Sequence, residues 1–464
     1  METELESGKK LLSRDIQQNI KTFKRRWFIL FIYINYSALS SMQWICYSSI
    51  TNLVMEYYNV SSIEVDLISI LYMAVYPVFV IPASYIIDKQ GMRTAGILGC
   101  VGTFLGTAIK IFSLQTDRFY VVFCGQTILA VSQVLIACLP PKLAALWFDA
   151  SEVSIACSLG VFGSQLGVAL GYIIPPLIVN NHNSIEDIEA GLHNMCWLLT
   201  LSMASITIAV VLYFPNRPPL PPSVAQAELW QSEEKFSSKT FFSSLKVIFV
   251  NRSFIILMVG YGVNIGVYSG VSTILNQFVL NYFEDAHEDV GMIGFVMVAT
   301  GLVGAILFGI LLDKTHKYMT ITMVIYISSV LSMVAFTYAL ECRSKLMTYL
   351  SCSLVGLFTT AYMPVGFEFA MELTFPSEES TTTGLLMAMT QIFGVICTLM
   401  LGFLNSKLGC FWALASQIVL LTIGALITGF VPNDVLLRQE ALRQITEGMD
   451  RKPSHHHSRL VFIQ

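Results

Sequence analysis

Ser84-Tyr85-Ile86-Ile87-Asp88-Lys89-Gln90-Gly91-Met92-Arg93 ends one long apolar run and opens the next. It returns in kind half a chain later as Gly309-Ile310-Leu311-Leu312-Asp313-Lys314-Thr315-His316-Lys317. In both, a small residue precedes an apolar turn, then an Asp-Lys pair and a further cation beyond it. Two other pairs keep nearly the offset that separates Asp88 from Asp313. Gln165-Leu166-Gly167 is echoed by Gln391-Ile392-Phe393-Gly394, and Glu152 and Glu378 stand equally far ahead of their glutamines. Several echoes at almost one offset argue for a duplicated unit of about half the chain.

The runs around these motifs give the size of the unit. Long apolar stretches are read near 27–54, 67–87, 94–114, 119–141, 153–179 and 194–214, and again near 253–281, 291–312, 319–340, 346–365, 381–404 and 410–431. Each is close to the ~20 residues that cross a bilayer core. The chain has 464 residues, 55% apolar and only 12% charged, with a mean hydropathy of +0.65. A soluble domain carries about twice that share of charge. A soluble enzyme, a disordered chain and a disulfide module are excluded, and long runs without alternation disfavour a β-barrel. The predicted fold is an all-α membrane protein of twelve helices in two six-helix, pseudo-symmetric halves.

The lipid bilayer is thus the first partner, and a monomer is expected. A net charge of −4 gives no reason to expect nucleic acid. The ten cysteines contain no C-x-x-C pair and fall mostly in apolar runs, where they read as small buried hydrophobes. No metal site, cofactor, nucleophile–base set or phosphate loop is read, so an enzyme is not expected.

Basic residues set the orientation. With the N-terminus inside, 22 of the 27 Lys and Arg fall on the cytoplasmic side. The expected layout is a cytoplasmic tail (1–26), a first half (27–214), a cytoplasmic linker rich in proline (215–252), a second half (253–431) and a cytoplasmic tail (432–464). No cleavable leader is read. The plasma membrane is the expected location. Asn59-Val60-Ser61 would then lie outside as a glycosylation site, whereas Asn251-Arg252-Ser253 would lie inside, unmodified.

Polar groups within apolar runs are expensive and direct attention to function. No Asp, Glu, Lys, Arg or His is read at a helix centre; Glu64, Asp66 and Lys110 are placed near helix ends, and the seven histidines in loops or the tail. This favours facilitated over proton-coupled transport. Mid-membrane instead holds Gln43-Trp44 with Tyr47, Gln165, Tyr268 and Gln391, roughly 15–26 Å from the cytoplasmic ends of a ~30 Å core. Trp44 and Tyr268 are near-equivalents under the repeat that pairs the glutamines. Two aromatic faces and two amides suit a small organic cation, held by cation–π attraction with its hydroxyl on an amide. Helix packing is the alternative role for each. Gln126, Gln133, Asn264, Asn276 and Gln277 are read as packing or gate residues. A carboxylate at a cytoplasmic helix end can pair in one conformation only, which makes Asp88, Arg93 and Asp313 gating candidates.

Twelve helices, the repeat and the Asp88-Lys89-x-Gly91-x-Arg93 loop resemble the major facilitator superfamily, with Ser84 where the family pattern has glycine. Longer strings resemble one family within it, the feline leukaemia virus subgroup C receptor-related transporters. These are Arg25-Arg26-Trp27, Gln43-Trp44-Ile45 with Tyr47, Trp147-Phe148, Glu152-Val153-Ser154, Ala156-Cys157, Gln165-Leu166-Gly167, Val271-Ser272-Thr273, Leu275-Asn276-Gln277, Gly366-Phe367-Glu368-Phe369-Ala370, Gly384-Leu385-Leu386 and Gln391-Ile392-Phe393-Gly394. The resemblance implies transport of choline and ethanolamine by alternating access. It assigns the substrate site to Trp44, Gln165, Gln391 and a tyrosine of the seventh helix. In that helix the family reads G-x-F-Y-S, so Ser269 stands in register with its tyrosine and Tyr268 with its phenylalanine. One residue turns a helix by ~100°.

The reading is a facilitative uniporter for choline and ethanolamine. Its substrate site is Trp44, Gln165, Tyr268 and Gln391, with Gln43, Tyr47, Ser269, Asn276 and Gln277 as further cavity residues. Haem, the family's earlier substrate, is the alternative, with His182, His193 and His287 as a transient entrance; for its axial ligands and cationic partners the core offers thiols but no His, Lys or Arg. The His455–His457 run reads as tail. A transporter-like receptor without transport is the third reading.

Overall fold

The computed structural model describes residues 21–149, 152–179, 185–222, 248–283, 287–315, 317–374 and 379–431. The outer parts of both tails, most of the linker and His182, His316 and His455–His457 lie outside them. Fourteen helices are used here: α1 (Arg25–Ile45), α2 (Thr51–Tyr58), α3 (Ser62–Gln90), α4 (Met92–Lys110), α5 (Phe119–Ala137), α6 (Leu139–Trp147), α7 (Val153–Ile178), α8 (Ile185–Tyr213), α9 (Arg252–Tyr282), α10 (His287–Thr315), α11 (Tyr318–Glu341), α12 (Lys345–Thr374), α13 (Glu379–Leu408) and α14 (Cys410–Gly429). All but α2 and α6 are long and apolar enough to cross a membrane, which makes twelve spans among the described residues.

Two apolar runs are broken where the sequence reading kept them whole. The first, read as 27–54, stops at Ile45 and resumes at Thr51 after a 3₁₀ turn at Ser48–Ile50. The fourth, read as 119–141, stops at Ala137, and α6 starts with Pro140 and Pro141 in its first turn. Proline lacks the N–H that a first turn leaves unused, so it opens α6 without loss. A capping box starts α3: Ser61 accepts from the Glu64 N–H while the Glu64 carboxylate accepts from the Ser61 N–H at 2.7 Å.

The halves pack by the same scheme. In the first, α1 lies on α7, and α5 lies against both α3 and α4; in the second, α9 lies on α13, and α12 against both α10 and α11. Lipid removes the hydrophobic drive between helices, so close backbone approach supplies the adhesion. Gly163, Gly167 and Gly171 of α7 lie against Ile34, Ala38 and Met42 of α1. In the equivalent pair the glycines sit on the other helix: Gly262, Gly266 and Gly270 of α9 meet Met389, Phe393 and Cys397 of α13.

Between the halves, α3 meets α13 and α7 meets α10, a pairing that keeps the pseudo-symmetry. Three hydrogen-bonded contacts cross at the end carrying the 58–62 turn. Asn276 donates to the Ser49 carbonyl at 2.9 Å and to Asn52 Oδ1 at 3.2 Å. Gln277 Nε2 donates to both oxygens of Asp66, at 2.9 and 3.1 Å. Tyr172 donates to the Ser272 carbonyl at 2.6 Å. Gly291 and Gly294 of α10 close on Tyr172 at the same level. The molecule is closed at that end.

Candidate functional site

Helix phase puts Gln165 and Gln391 on the surfaces that the halves turn to each other. The glycines of α7 that touch α1 lie on the side opposite Gln165, whereas Val168, Ala169 and Tyr172, one and two turns on, belong to the core of the second half. Gln165 Nε2 reaches Met363 Sδ of α12 at 4.0 Å, across the interface. Gln391 stands between Met387 and Gly394. Met387 packs on the Tyr76, Ala83 and Val134 cluster of the first half, and Gly394 faces Met73 of α3. Gln391 makes no hydrogen bond among the described residues, so its amide is unengaged.

Trp44 lies beside the interface as well. Its ring packs on Tyr72, Leu129 and Ala130 of the first half and on the cluster that joins Ile45, Val168, Ala169 and Tyr172 to the second. Its indole N–H is buried without a partner. Two adjacent residues of α9 then part company. Tyr268 is 5% exposed and buried in the second-half core with Tyr172, its hydroxyl left without a hydrogen bond. Ser269 is half-buried and faces Gly394 of α13, whose other neighbour is Met73. Of the residues singled out in the sequence, the Trp44 ring, the amides of Gln165 and Gln391 and the Ser269 side chain lie on or beside this interface.

Gln43 and Tyr47 do not line this surface; they surround a cation. Lys110 is 1% exposed. Its ammonium donates to Gln43 Oε1 at 3.0 Å and Gln126 Oε1 at 3.1 Å, and sits 5.3 Å from the centre of the Tyr47 ring. Thr107 also donates to Gln43 Oε1 at 3.0 Å. The expectation that ionisable side chains stand near helix ends holds for Lys110, Asp66 and Glu372, but these ends are buried. Lys110, Asp66 and Glu372 are each at most 2% exposed. Lys110 ends its own helix, and its burial comes from α1 and α5, which its local sequence does not reveal. Asn276 and Gln277 hold the closed end instead of lining the cavity.

The gating candidates are placed unequally. The side chains of Asp88 and Asp313 lie outside the described residues. Arg93 is exposed and bonded within the first half: its N–H donates to Asn216 Oδ1 at 3.1 Å, and its guanidinium to the Val211 carbonyl at 3.4 Å. Arg26 pairs with Glu152 at 2.7 Å, one of the sequence echoes. Asn59 is exposed with a φ of 53° at the end of α2. Asn251 caps α9 through Phe254 N–H and donates to the Leu373 carbonyl, so its side chain is engaged. His193 contacts Trp197 on α8, and the His287 side chain lies outside the described residues. No group of metal-ligating side chains occurs among the described residues.

A ring, a free indole N–H and two amides on or beside the interface of movable halves can hold a small cation carrying a hydroxyl. The ring face attracts the charge, the N–H donates to an oxygen, and the amides accept or donate. Nothing in this set makes or breaks a covalent bond.

Comparison with known proteins points the same way. The family model of the Major Facilitator Superfamily matches residues 32–396. An MFS-type transporter of Caenorhabditis elegans is 40% identical over 421 residues, covering 91% of this chain and 71% of that protein. The choline/ethanolamine transporter flvcr2b of Danio rerio is 34% identical over 438 residues, covering 94% of this chain and 89% of that one. In structure, a bacterial homologue of the human lysosomal transporter Spinster, in an inward-facing and unoccupied conformation, superposes with a TM-score of 0.69 at 13% identity, covering 90% of this chain and 99% of that one.

Proposed function

The chain belongs to the major facilitator superfamily and, within it, to the feline leukaemia virus subgroup C receptor-related transporters, and from that premise we propose that it carries choline and ethanolamine as a facilitative uniporter working by alternating access. The observation that carries this reading is the seat of Trp44. It packs on Tyr72 and Leu129 and on the cluster that joins α7 to the second half, with an unpaired N–H, and Gln165 of α7 reaches across to Met363. The ammonium group would lie on the Trp44 ring, and the alcohol would take the indole N–H and the two amides. Tyr268 is not part of the wall, and Ser269 takes its place as the α9 contact. Gating falls to the closed end, where Asp66, Asn276 and Gln277 must part for substrate to enter from that side.

The orientation rests on the distribution of basic residues, and the location and monomeric state are part of the same proposal. Both termini are cytoplasmic, the closed end is external, the location is the plasma membrane, the protein acts as a monomer, and Asn59 is available for glycosylation. Haem remains the second reading, but the interface residues described here contain no histidine or cation to hold it.

Labelled choline uptake in choline-depleted cells tests the proposal, with ethanolamine and haem as competitors. The expected result is saturable uptake competed by ethanolamine and not by haem. In Trp44→Ala, with equal protein at the surface, the half-saturating concentration should rise by roughly 30-fold, from loss of a contact worth up to ~2 kcal/mol. Absence of uptake by a surface-expressed wild type, or an unchanged half-saturation in the variant, overturns it.

A further inference from the structure

The cage around Lys110 adjoins the break in the first span. Where α1 stops at Ile45, carbonyls that a continuous helix would have used must find other donors, because lipid supplies none. Most find one in a side chain. Gln126 Nε2 donates to the Gln43 carbonyl at 2.9 Å, and Ser69 Oγ to the Trp44 carbonyl at 2.9 Å. Ser49 Oγ donates to the Cys46 carbonyl, Thr51 Oγ1 to the Ser48 carbonyl, and Asn276 of the second half to the Ser49 carbonyl. A 3₁₀ interruption inside a span, capped largely by side chains, is built as a hinge.

Both sides of this hinge are bonded to the first half: Ser48 Oγ lies 2.6 Å from Ser69 Oγ, and beyond it Tyr57 and Tyr58 donate to the Leu114 and Ser113 carbonyls. Ser49 and Asn52 are also bonded to Asn276 of the second half. Before it, Gln43 is bonded to Lys110 of α4 and, through its carbonyl, to Gln126 of α5. The Lys110 ammonium makes no ion pair among the described residues, so its charge is answered by two amide oxygens, the Tyr47 ring and the carbonyl end of α1. The amide of Gln43 is oriented by the cation, and its Nε2 is left unpaired. Trp44 lies between Gln43 and the hinge.

We propose that Lys110 is a positioning residue for transport: its ammonium clamps the interrupted end of α1 to α4 and α5 and so holds Trp44 in place beside the break. The proposal rests on the reading of Trp44 as the substrate wall. A buried cation suits this task because charge-assisted hydrogen bonds to two separate helices are lost together when it is removed.

The test compares the full-length wild type, Lys110→Met and the exchange Lys110→Gln with Gln126→Lys, which returns an ammonium to the same space from α5. Hydrogen–deuterium exchange in lipid nanodiscs reads the amides of 43–50, and choline uptake reads half-saturation and maximal rate separately. Loss of two charge-assisted bonds should speed exchange of these amides in Lys110→Met by roughly 10-fold or more, and raise half-saturation by about as much. The maximal rate should change less, and the exchanged pair should bring both readings back towards wild type. Wild-type exchange at 43–50 in Lys110→Met overturns the clamp. So does a fall in maximal rate or folded yield alone, which a merely structural lysine would give. Should the wild type carry neither choline nor ethanolamine, the functional reading fails, and the exchange measurement still judges the clamp by itself.

Discussion

Tyr268 and Ser269 differ by one step of α9, and that step decides which of them faces the other half. Tyr268 is enclosed by the second-half core, while Ser269 faces Gly394 at the interface. Tyr268→Phe removes a hydroxyl that has no partner, so uptake and stability should stay near wild type. Ser269→Tyr adds a second ring beside Trp44. A quaternary ammonium, which has no N–H to donate, should profit most. Choline half-saturation is expected to fall by roughly 2- to 30-fold for a contact of ~0.5–2 kcal/mol, while that of ethanolamine changes less. Competitive uptake of the two labelled substrates measures this; a Tyr268→Phe variant with lost choline uptake would return the site to Tyr268. That Gln165 and Gln391 face the interface was legible in the sequence because they are counterparts at nearly the repeat offset, whereas the counterpart of Trp44, Tyr268, is enclosed by the core. The burial of Lys110 was not legible. It closes its own helix in a place that reads as a membrane edge, and the residues that bury it, Gln43, Tyr47 and Gln126, belong to other helices.

At the scale of elements, apolar run length located all twelve spans, since only length and polarity are needed to cross lipid. The break after Ile45 escaped that reading. Ser48, Ser49 and Thr51 are compatible with a helix, and the turn exists because Ser69, Gln126 and Asn276 on other helices cap its carbonyls. Glycine spacing carried information of another kind. A Cβ on Gly167 would fall on the backbone of Ala38, in the closest part of the α1–α7 contact, whereas one on Gly384 of α13 meets nothing within 4 Å. Gly167→Val should therefore separate α1 from α7, at a cost of at least ~1–3 kcal/mol. Gly384→Ala should be neutral or stabilising by up to ~1 kcal/mol, from helix propensity. Thermal unfolding of the two purified variants beside wild type checks the pair; a Gly167→Val protein as stable as wild type would mean that these helices do not meet through their backbones.

For the whole molecule, the closed end and the buried charges bear on what moves with the substrate. Asp66 is the one carboxylate in the three cross-half contacts described, held by the Gln277 amide. When the halves part it meets water, and a proton taken up there and released on the other side would couple transport to pH. Lys110 is sealed within the first half, away from the surface that opens, and gives a proton no route. A uniporter moving a monovalent cation is driven by voltage alone. One elementary charge gains ~2.3 kcal/mol per 100 mV, so choline should accumulate roughly 50-fold at −100 mV. Proteoliposomes holding the full chain, with a potassium diffusion potential and no other gradient, give that ratio directly. Adding a pH gradient at fixed voltage should leave it unchanged. A ratio that shifts by about tenfold per pH unit would mean that one proton travels with each choline, and Asp66→Asn, which keeps a side chain able to bond Gln277, should then restore a purely voltage-set ratio. With no shift, Asp66 serves the closed end only, and the cation carries the sole charge that crosses.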